Sequence, residues 1–102
     1  MEISTKHRVA LFAGVAVTGI TKATLGSPQV AAALVAAGVS ALGESRVEGL
    51  ERLRAARLGV PLLLVRSPMP SQVDRVVAAA DASVNTEPDV LAGLAAAARR
   101  QD

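Results

Sequence analysis

Four short apolar runs alternate with helix-like stretches along this chain, and this alternation constrains the fold more than any other feature. The runs are rich in Val, Leu and Ile, and each is followed by a segment in which apolar residues recur three or four positions apart. Successive strand–helix units are typical of a parallel sheet, because a parallel neighbour is reached through a helical crossover. We therefore predict four βα units, with strands over residues 15–20, 39–43, 61–65 and 82–85.

Two architectures accommodate four such units. One is a small open parallel sheet of the doubly wound kind, and the other is half of a (β/α)8 TIM-type barrel. A complete barrel needs at least about 200 residues, whereas this chain has 102, so its length favours the open sheet. The regular spacing of the units and a polar residue at every strand end favour the half barrel. We expect the half barrel and keep the open sheet as the alternative.

Capping signals predict the ends of the first two crossover helices. Ser27 is a good N-cap, Pro28 suits the first helical position, and Gly38 is a typical residue at a helix C-terminus. The run Ser45-Arg46-Val47-Glu48 has the pattern of a capping box, and it predicts a helix that continues to residue 58 and stops at Gly59.

The remaining helices are predicted in the same way. Ser71 and Thr86 are expected to cap the two helices that follow the third and fourth strands. Residues 3–13 have the pattern of a short amphipathic helix before the first strand. The residues expected on buried helix faces are Val47, Leu50, Leu53, Val73, Val76, Val77, Ala80, Val90 or Leu91, Leu94 and Ala98.

A polar residue stands at or just after the end of each predicted strand. These residues are Lys22, Glu44, Arg66 and Asn85. The carboxyl ends of parallel strands meet at one edge of the sheet, where α/β proteins bind their ligands, so we expect the four side chains to surround one cavity. For Glu44 and Asn85, a supporting role in the site and simple solvent exposure both remain open. Arg66 follows an apolar strand, and we expect a partner group to orient it.

Lys22 is the candidate chemical centre. The chain has two lysines and nine arginines, and Lys22 is the lysine placed where a strand delivers its last side chain. An apolar surrounding and a nearby Arg66 would disfavour the ammonium form, and a neutral amine can condense with a carbonyl group. Pyridoxal phosphate is the commonest cofactor used in this way. The alternatives are a lysine that reacts directly with a substrate, as in aldolases, and one that extends into solvent.

Composition excludes other classes of site. There is no cysteine, so disulfides and thiolate metal sites are excluded, and His7 has no metal-ligand spacing around it. The net charge of +2 comes from dispersed arginines, which argues against a nucleic-acid partner. The apolar run that follows Arg8 is too short to span a bilayer. We therefore expect a cytoplasmic protein with no metal, nucleic-acid or membrane partner.

Several stretches together resemble one enzyme family. They are Thr21-Lys22-Ala23 after the first strand, residues 36–48 (AAGVSALGESRVE), residues 62–69 (LLLVRSPM) and residues 82–87 (ASVNTE). In order and spacing they resemble the N-terminal barrel domain of the alanine racemase family, and most closely its ornithine-racemase-like branch. The resemblance runs over roughly residues 14–98, and the whole chain, 1–102, is then interpreted as part of this pyridoxal phosphate-binding barrel domain.

The resemblance implies a specific chemistry. It implies a (β/α)8 barrel in which Lys22 binds pyridoxal 5'-phosphate as an internal aldimine and then acts as one racemisation base on an amino-acid substrate. Lys22, Glu44, Arg66 and Asn85 are the cofactor-binding residues on this interpretation. Family members take the second base, a tyrosine, from another domain across a homodimer, and we expect a homodimer for the full-length protein.

The chain also departs from the family pattern. It contains no tyrosine and only four of the eight strands, so we expect a fragment that does not racemise amino acids on its own. An alternative function is that of a related single-barrel protein of pyridoxal phosphate homeostasis, which has the same lysine and no racemase activity.

Overall fold

A computed structural model describes residues 16–21 and 26–102 of the chain, in which strands and helices alternate as predicted. The predicted helix over residues 3–13 lies outside this part. The strands are β1 Thr18–Ile20, β2 Ala41–Glu44, β3 Leu62–Leu64 and β4 Ala82–Ser83. The helices are α1 Pro28–Ala37, α2 Val47–Ala56, α3 Val73–Ala79 and α4 Pro88–Gln101, and a single 3₁₀ turn, Pro70–Gln72, leads into α3.

The four strands form one parallel sheet in the order β1-β2-β3-β4, so each strand pairs with the next one in the sequence. A doubly wound sheet reverses its strand order partway, and this sheet does not. Because βα crossovers are right-handed, winding in a single direction places the helices on one face of the sheet. The arrangement is therefore part of an α/β barrel, as expected, and the doubly wound alternative is wrong.

The strand register gives the sheet a helix-covered face and an opposite face. The register pairs Leu42 of β2 with Gly19 of β1 and with Leu62 of β3. The side chains of Leu42 and Leu62 point towards the helices, as does that of Leu64 two positions further along β3. On the opposite face Ile20 is 50% exposed in the described part of the chain. The buried core lies between the sheet and the helices and contains Ala31, Leu42, Val47, Leu50, Leu53, Leu62, Leu64, Val76 and Ala79.

The first helix follows its sequence signals closely. The Ser27 hydroxyl accepts a hydrogen bond from the backbone N–H of Val30 at 3.4 Å, and Pro28 is the first helical residue. Gly38 has a φ of 112°, and its N–H donates to carbonyls of the last helical turn. A glycine suits this position because the left-handed conformation is unfavourable for a residue with a side chain.

At the other three helices the N-cap lies one residue later than predicted. None of these N-cap residues makes a capping hydrogen bond through its side chain. At the start of α2 the Glu44 carboxylate accepts hydrogen bonds from two backbone N–H groups, so a capping serine is not required there. The predicted caps Ser45, Ser71 and Thr86 are wrong, and the N-cap residues are Arg46, Gln72 and Glu87.

Two details of the predicted helices also differ. Helix α2 ends at Ala56 because Arg57 adopts a left-handed conformation with φ of 51°. On α4 the buried residues are Val90 and Ala97, whereas Leu91 is 49% exposed. The predicted burial of Ala98 is wrong, since the helix turns Ala97 towards α3. The predicted burial is confirmed for Val47, Leu50, Leu53, Val73 and Val76, whereas Val77, Ala80 and Leu94 are half-buried.

Candidate active site

The carboxyl edge of the sheet is organised around the end of β1. Thr21, the residue after the strand, is completely buried. Its N–H donates to the carbonyl of Gly43 on β2 at 3.0 Å, and its own carbonyl accepts from the N–H of Gly26 at 3.1 Å. Residues 22–25 lie outside the described residues, and with them the predicted centre, Lys22. The described backbone is thus hydrogen-bonded directly before and directly after this segment.

Glu44 is the most completely buried carboxylate among the described residues, with 1% of its surface exposed. Its Oε2 accepts a hydrogen bond from the Thr21 hydroxyl at 2.9 Å. Its Oε1 accepts from the backbone N–H groups of Ser45 at 2.8 Å and Arg46 at 3.3 Å. Both carboxylate oxygens are therefore used within the fold. The suggestion that Glu44 is exposed to solvent is wrong, and the supporting role is the one its contacts favour.

Two glycines make room for this carboxylate. Gly49 lies in α2, and a Cβ added there would lie 2.6 Å from Cγ and Cδ of Glu44. Gly26 has a φ of 69°, and a Cβ there would lie 2.8 Å from the Cα of Gly49 and 3.2 Å from Glu44 Oε2. Sequence patterns alone do not identify this pair. The available signal was a glycine inside a helix whose other residues favour helix formation.

The dipole of helix α2 also favours a negatively charged side chain at the position of Glu44. Ser45 and Arg46 directly precede α2, so the carboxylate lies at the positive end of the helix dipole. Its hydrogen bonds satisfy backbone donors that the helix cannot pair internally. Because hydrogen bonds to a charged group are stronger than those between neutral groups, this carboxylate ties β1, β2 and α2 firmly together.

Arg66 follows β3 and is exposed. It lines a cavity of about 270 Å³ between the first turn of α2 and the loop after β3, together with Arg46, Glu48 and Met69. Within residues 16–21 and 26–102 Arg66 forms no hydrogen bond or ion pair. The partner group expected to orient it is therefore not among these residues, and its guanidinium is available to an anion.

Asn85 lies beyond the end of β4 and is half-buried, so the suggestion that it is simply solvent-exposed is wrong. Its Nδ2 donates to the Ser83 hydroxyl at 2.7 Å. Its Oδ1 is buried and has no hydrogen-bond partner in the described structure. An unpaired buried acceptor costs about 1–3 kcal/mol, so this oxygen suits a donor from a ligand or from further protein. The nearby backbone N–H of Thr86 donates to the Ser67 hydroxyl at 3.3 Å and links the ends of β3 and β4.

The expectation that the strand-end side chains surround one cavity is wrong for the described residues, because Arg66 and Asn85 line two different cavities and Glu44 lines neither of them. Because β1 to β4 are parallel and neighbouring, Thr21, Glu44, Arg66 and Asn85 lie along one edge of the sheet. Direct hydrogen bonding joins Thr21 to Glu44, but no hydrogen bond joins either of them to Arg66 or Asn85 within this part of the chain. The edge therefore has a hydrogen-bonded part at β1 and β2, whereas Arg66 and Asn85 follow β3 and β4 with no direct hydrogen bond to that part among the described residues.

Two further findings concern the described residues only. None of their helices combines the length and the apolar character needed to cross a bilayer. They also contain no cluster of three or more His, Asp or Glu side chains with a geometry suited to a metal ion.

Comparison with known proteins places this fold in a family. Residues 5–102 match the alanine racemase N-terminal domain. A lysine racemase from Thermotoga maritima is 39% identical to this chain over 77 residues. That match covers 76% of this chain but 22% of the relative, so the chain spans less than a quarter of the relative's length. The family match covers nearly all of the sequence and agrees with the sequential parallel βα units, and the chain therefore belongs to the alanine racemase N-terminal domain family.

Proposed function

We propose that this chain is part of a pyridoxal phosphate-dependent amino-acid racemase in which Lys22 holds the cofactor. The observation that carries the proposal is the position of Thr21, the residue before Lys22. It is buried and hydrogen-bonded at the carboxyl end of β1, on the edge where (β/α)8 enzymes bind their substrates. The family match and the lysine racemase relative support the reaction class.

The described residues of this edge suit a phosphorylated cofactor and an amino acid. Arg66 offers a guanidinium with no described partner, which is suited to a phosphate or a carboxylate. The unpaired Oδ1 of Asn85 is an acceptor, so it suits a hydroxyl or an ammonium group rather than a phosphate oxygen. Glu44 already has three donors, and we assign it an indirect role.

In this proposal Lys22 has two tasks. Its side-chain amine binds the cofactor covalently, and after release it takes the α-proton of the amino acid from one face. When bound, pyridoxal phosphate supplies an electron sink for the charge that develops at the α-carbon. Arg66 holds an anionic group of the cofactor or substrate, and Asn85 accepts a hydrogen bond from one of them.

The substrate is proposed to be an amino acid, and lysine is the first compound to test because the relative is a lysine racemase. The full-length protein that contains this chain is incubated with pyridoxal phosphate and, separately, L-lysine, L-ornithine or L-alanine. Chiral chromatography then measures the D-enantiomer, and mass spectrometry in deuterated water measures exchange of the α-hydrogen. Exchange that depends on Lys22 supports the proposal even where the D-enantiomer does not accumulate.

Two other outcomes have clear meanings. Cofactor binding at Lys22 without racemisation or exchange of any amino acid would favour the alternative, a protein of pyridoxal phosphate homeostasis. A full-length protein that binds no pyridoxal phosphate at all would exclude both functions. Lys22→Ala is the essential control, because it should abolish the absorbance of the bound cofactor while the protein remains folded.

The role of Arg66 is tested separately. Arg66→Ala should weaken cofactor or substrate binding about tenfold, which is the usual effect of losing one charge-assisted hydrogen bond. Its stability should change little, because the side chain is exposed and has no ion pair in the described structure. Arg99→Ala, a change of an exposed arginine at the end of α4, is the matched control and should leave binding unchanged.

We also propose that the full-length protein is a homodimer, which rests on the family relationship alone. Sedimentation equilibrium of the full-length protein should give twice the monomer mass, and a monomer with full racemase activity would contradict this.

A further inference from the structure

We propose that Glu44 and Thr21 form a positioning pair that anchors the carboxyl end of β1, from which the chain leads to the proposed cofactor lysine, Lys22. This inference rests on the proposed function, because it presupposes that Lys22 reacts with pyridoxal phosphate. Neither residue is assigned contact with the cofactor. Their effect is on the backbone from which Lys22 extends.

Thr21 is held by hydrogen bonds from several directions. Its N–H is bonded to Gly43, its carbonyl to Gly26 and its hydroxyl to Glu44. It is completely buried, and its β-branched side chain has restricted rotation about χ1. Lys22 follows Thr21 directly in the sequence, so Thr21 is the last described point of attachment before the proposed cofactor lysine.

Glu44 is itself held in place. It is 1% exposed, and its Oε1 is bonded to the backbone at the start of α2. Gly26 and Gly49 pack against its side chain so closely that a Cβ at Gly49 would lie 2.6 Å from it and one at Gly26 would lie 3.2 Å from it. The hydroxyl of Thr21 is therefore attached, through a charged and desolvated hydrogen bond, to a helix rather than to a loose loop.

Positioning of Thr21 and capping of α2 use different oxygens of Glu44. The two oxygens of Glu44 have different tasks, since Oε1 accepts from the α2 backbone and Oε2 accepts from Thr21. A change at Thr21 removes the bond to Oε2 and leaves the cap of α2 in place. The two roles of Glu44 can therefore be tested independently.

The experiment measures covalent capture of pyridoxal phosphate by the full-length protein that contains this chain. In this step the Lys22 nitrogen and the aldehyde carbon form a C=N bond, and the carbonyl oxygen leaves as water. Stopped-flow absorbance over a range of cofactor concentrations gives the maximal rate of capture and the concentration for half-maximal rate. Thermal unfolding followed by circular dichroism shows whether each variant is folded.

Thr21→Val, which keeps the shape and removes the hydroxyl, should lower the maximal rate about tenfold, as expected for one hydrogen bond to a charged group. The half-saturating concentration should change less than twofold, because noncovalent binding of the cofactor does not involve Thr21. Thr21→Ser should restore the rate. Thr18→Val is the matched control on the same strand, where the threonine is exposed, and it should behave like the unchanged protein.

A folded Thr21→Val protein that captures the cofactor at the normal maximal rate would overturn the positioning role and leave the proposed function intact. If the unchanged protein captures no cofactor through Lys22, the proposed function fails and the positioning role fails with it. If Thr21→Val does not fold, Glu44→Gln decides, because the glutamine oxygen can still accept from the α2 backbone while its Nε2 donates to the Thr21 hydroxyl, which makes this bond neutral and reverses its direction. It should slow capture about threefold or more, and a normal rate would contradict the inference.

Discussion

Replacing Gly49 with alanine should destabilise the protein, although alanine is the better helix former. The added Cβ would lie 2.6 Å from two carbons of Glu44, about 1 Å closer than carbon atoms approach without repulsion. Glu44 cannot move away freely, because it is buried and holds Thr21, Ser45 and Arg46 by hydrogen bonds. The sign of the effect therefore depends on whether this carboxylate is as firmly held as the structure indicates.

The magnitude follows from three contributions. Forcing a methyl group into a packed site costs about 1–3 kcal/mol, and weakening a hydrogen bond to a charged group costs about 1.5–3 kcal/mol. The gain in helix propensity from glycine to alanine is about 1 kcal/mol. We expect a net loss of about 3 kcal/mol in the free energy of unfolding, which corresponds to a fall in Tm of roughly 12–24 °C for a domain of this size.

Gly93 provides the matched comparison. It also lies inside a helix, α4, but a Cβ there would lie 3.5 Å from the nearest atom, Cγ1 of Val73, which is an ordinary contact. Gly93→Ala should therefore stabilise the protein by about 0.5–1 kcal/mol. Urea denaturation followed by circular dichroism measures both variants, since the chain has no tryptophan or tyrosine for fluorescence.

A double change identifies the cause. In a Glu44→Ala background the methyl group of Gly49→Ala no longer meets a carboxylate, so the same substitution should become neutral or stabilising. The reasoning is refuted if Gly49→Ala stabilises the protein as much as Gly93→Ala does. It is also refuted if the loss caused by Gly49→Ala is the same with and without the Glu44 side chain.

Two further predictions concern stability at the amino-terminal edge of the sheet. The pKa of Asp81 is lowered below its usual value of 3.8, first by the hydrogen bond from the Leu62 N–H and then by the Arg54 guanidinium. A carboxyl group with a lowered pKa stabilises the fold when the pH is above its usual pKa. This stabilisation is lost as the pH falls through the pKa of the folded state. Asp81→Asn should therefore lower the free energy of unfolding by about 1 kcal/mol at pH 7, since the group is half-exposed. It should also reduce the further loss of stability below about pH 4. Urea denaturation at several pH values measures both effects, and unchanged stability at pH 7 would contradict the prediction. Arg57→Gly should stabilise the protein by about 0.5–1 kcal/mol, because Arg57 has a φ of 51°; a lower urea midpoint would show that its side chain contributes more than the backbone strain costs.

Local signals predicted the fold well where they act over a few residues. Helix α1 has the bounds that Ser27, Pro28 and Gly38 indicate, because each of these acts on its own neighbouring backbone. The spacing of Leu50 and Leu53 identified the buried face of α2 for the same reason. The parallel order of the strands followed from the succession of βα units.

The site was less predictable because its key contact joins residues far apart in the sequence. Glu44 and Thr21 are 23 positions apart, and only the folded sheet brings them together. The sequence pattern predicts Ser45 as the cap of α2 because a serine is typical there. In the structure the carboxylate of the neighbouring Glu44 accepts the hydrogen bonds from the backbone at the start of this helix. The unpaired oxygen of Asn85 has no signature in the sequence at all.

The most direct test of the account is to locate the pyridoxal group on the chain. The full-length protein that contains this chain is incubated with pyridoxal phosphate and reduced with borohydride, and the modified peptide is identified by mass spectrometry. The other lysine of this chain is Lys6, so Lys6→Arg is the matched control for Lys22→Arg. We predict modification at Lys22 that survives Lys6→Arg and is lost in Lys22→Arg. Modification of Lys6 instead, or modification that persists in Lys22→Arg, would contradict the central claim.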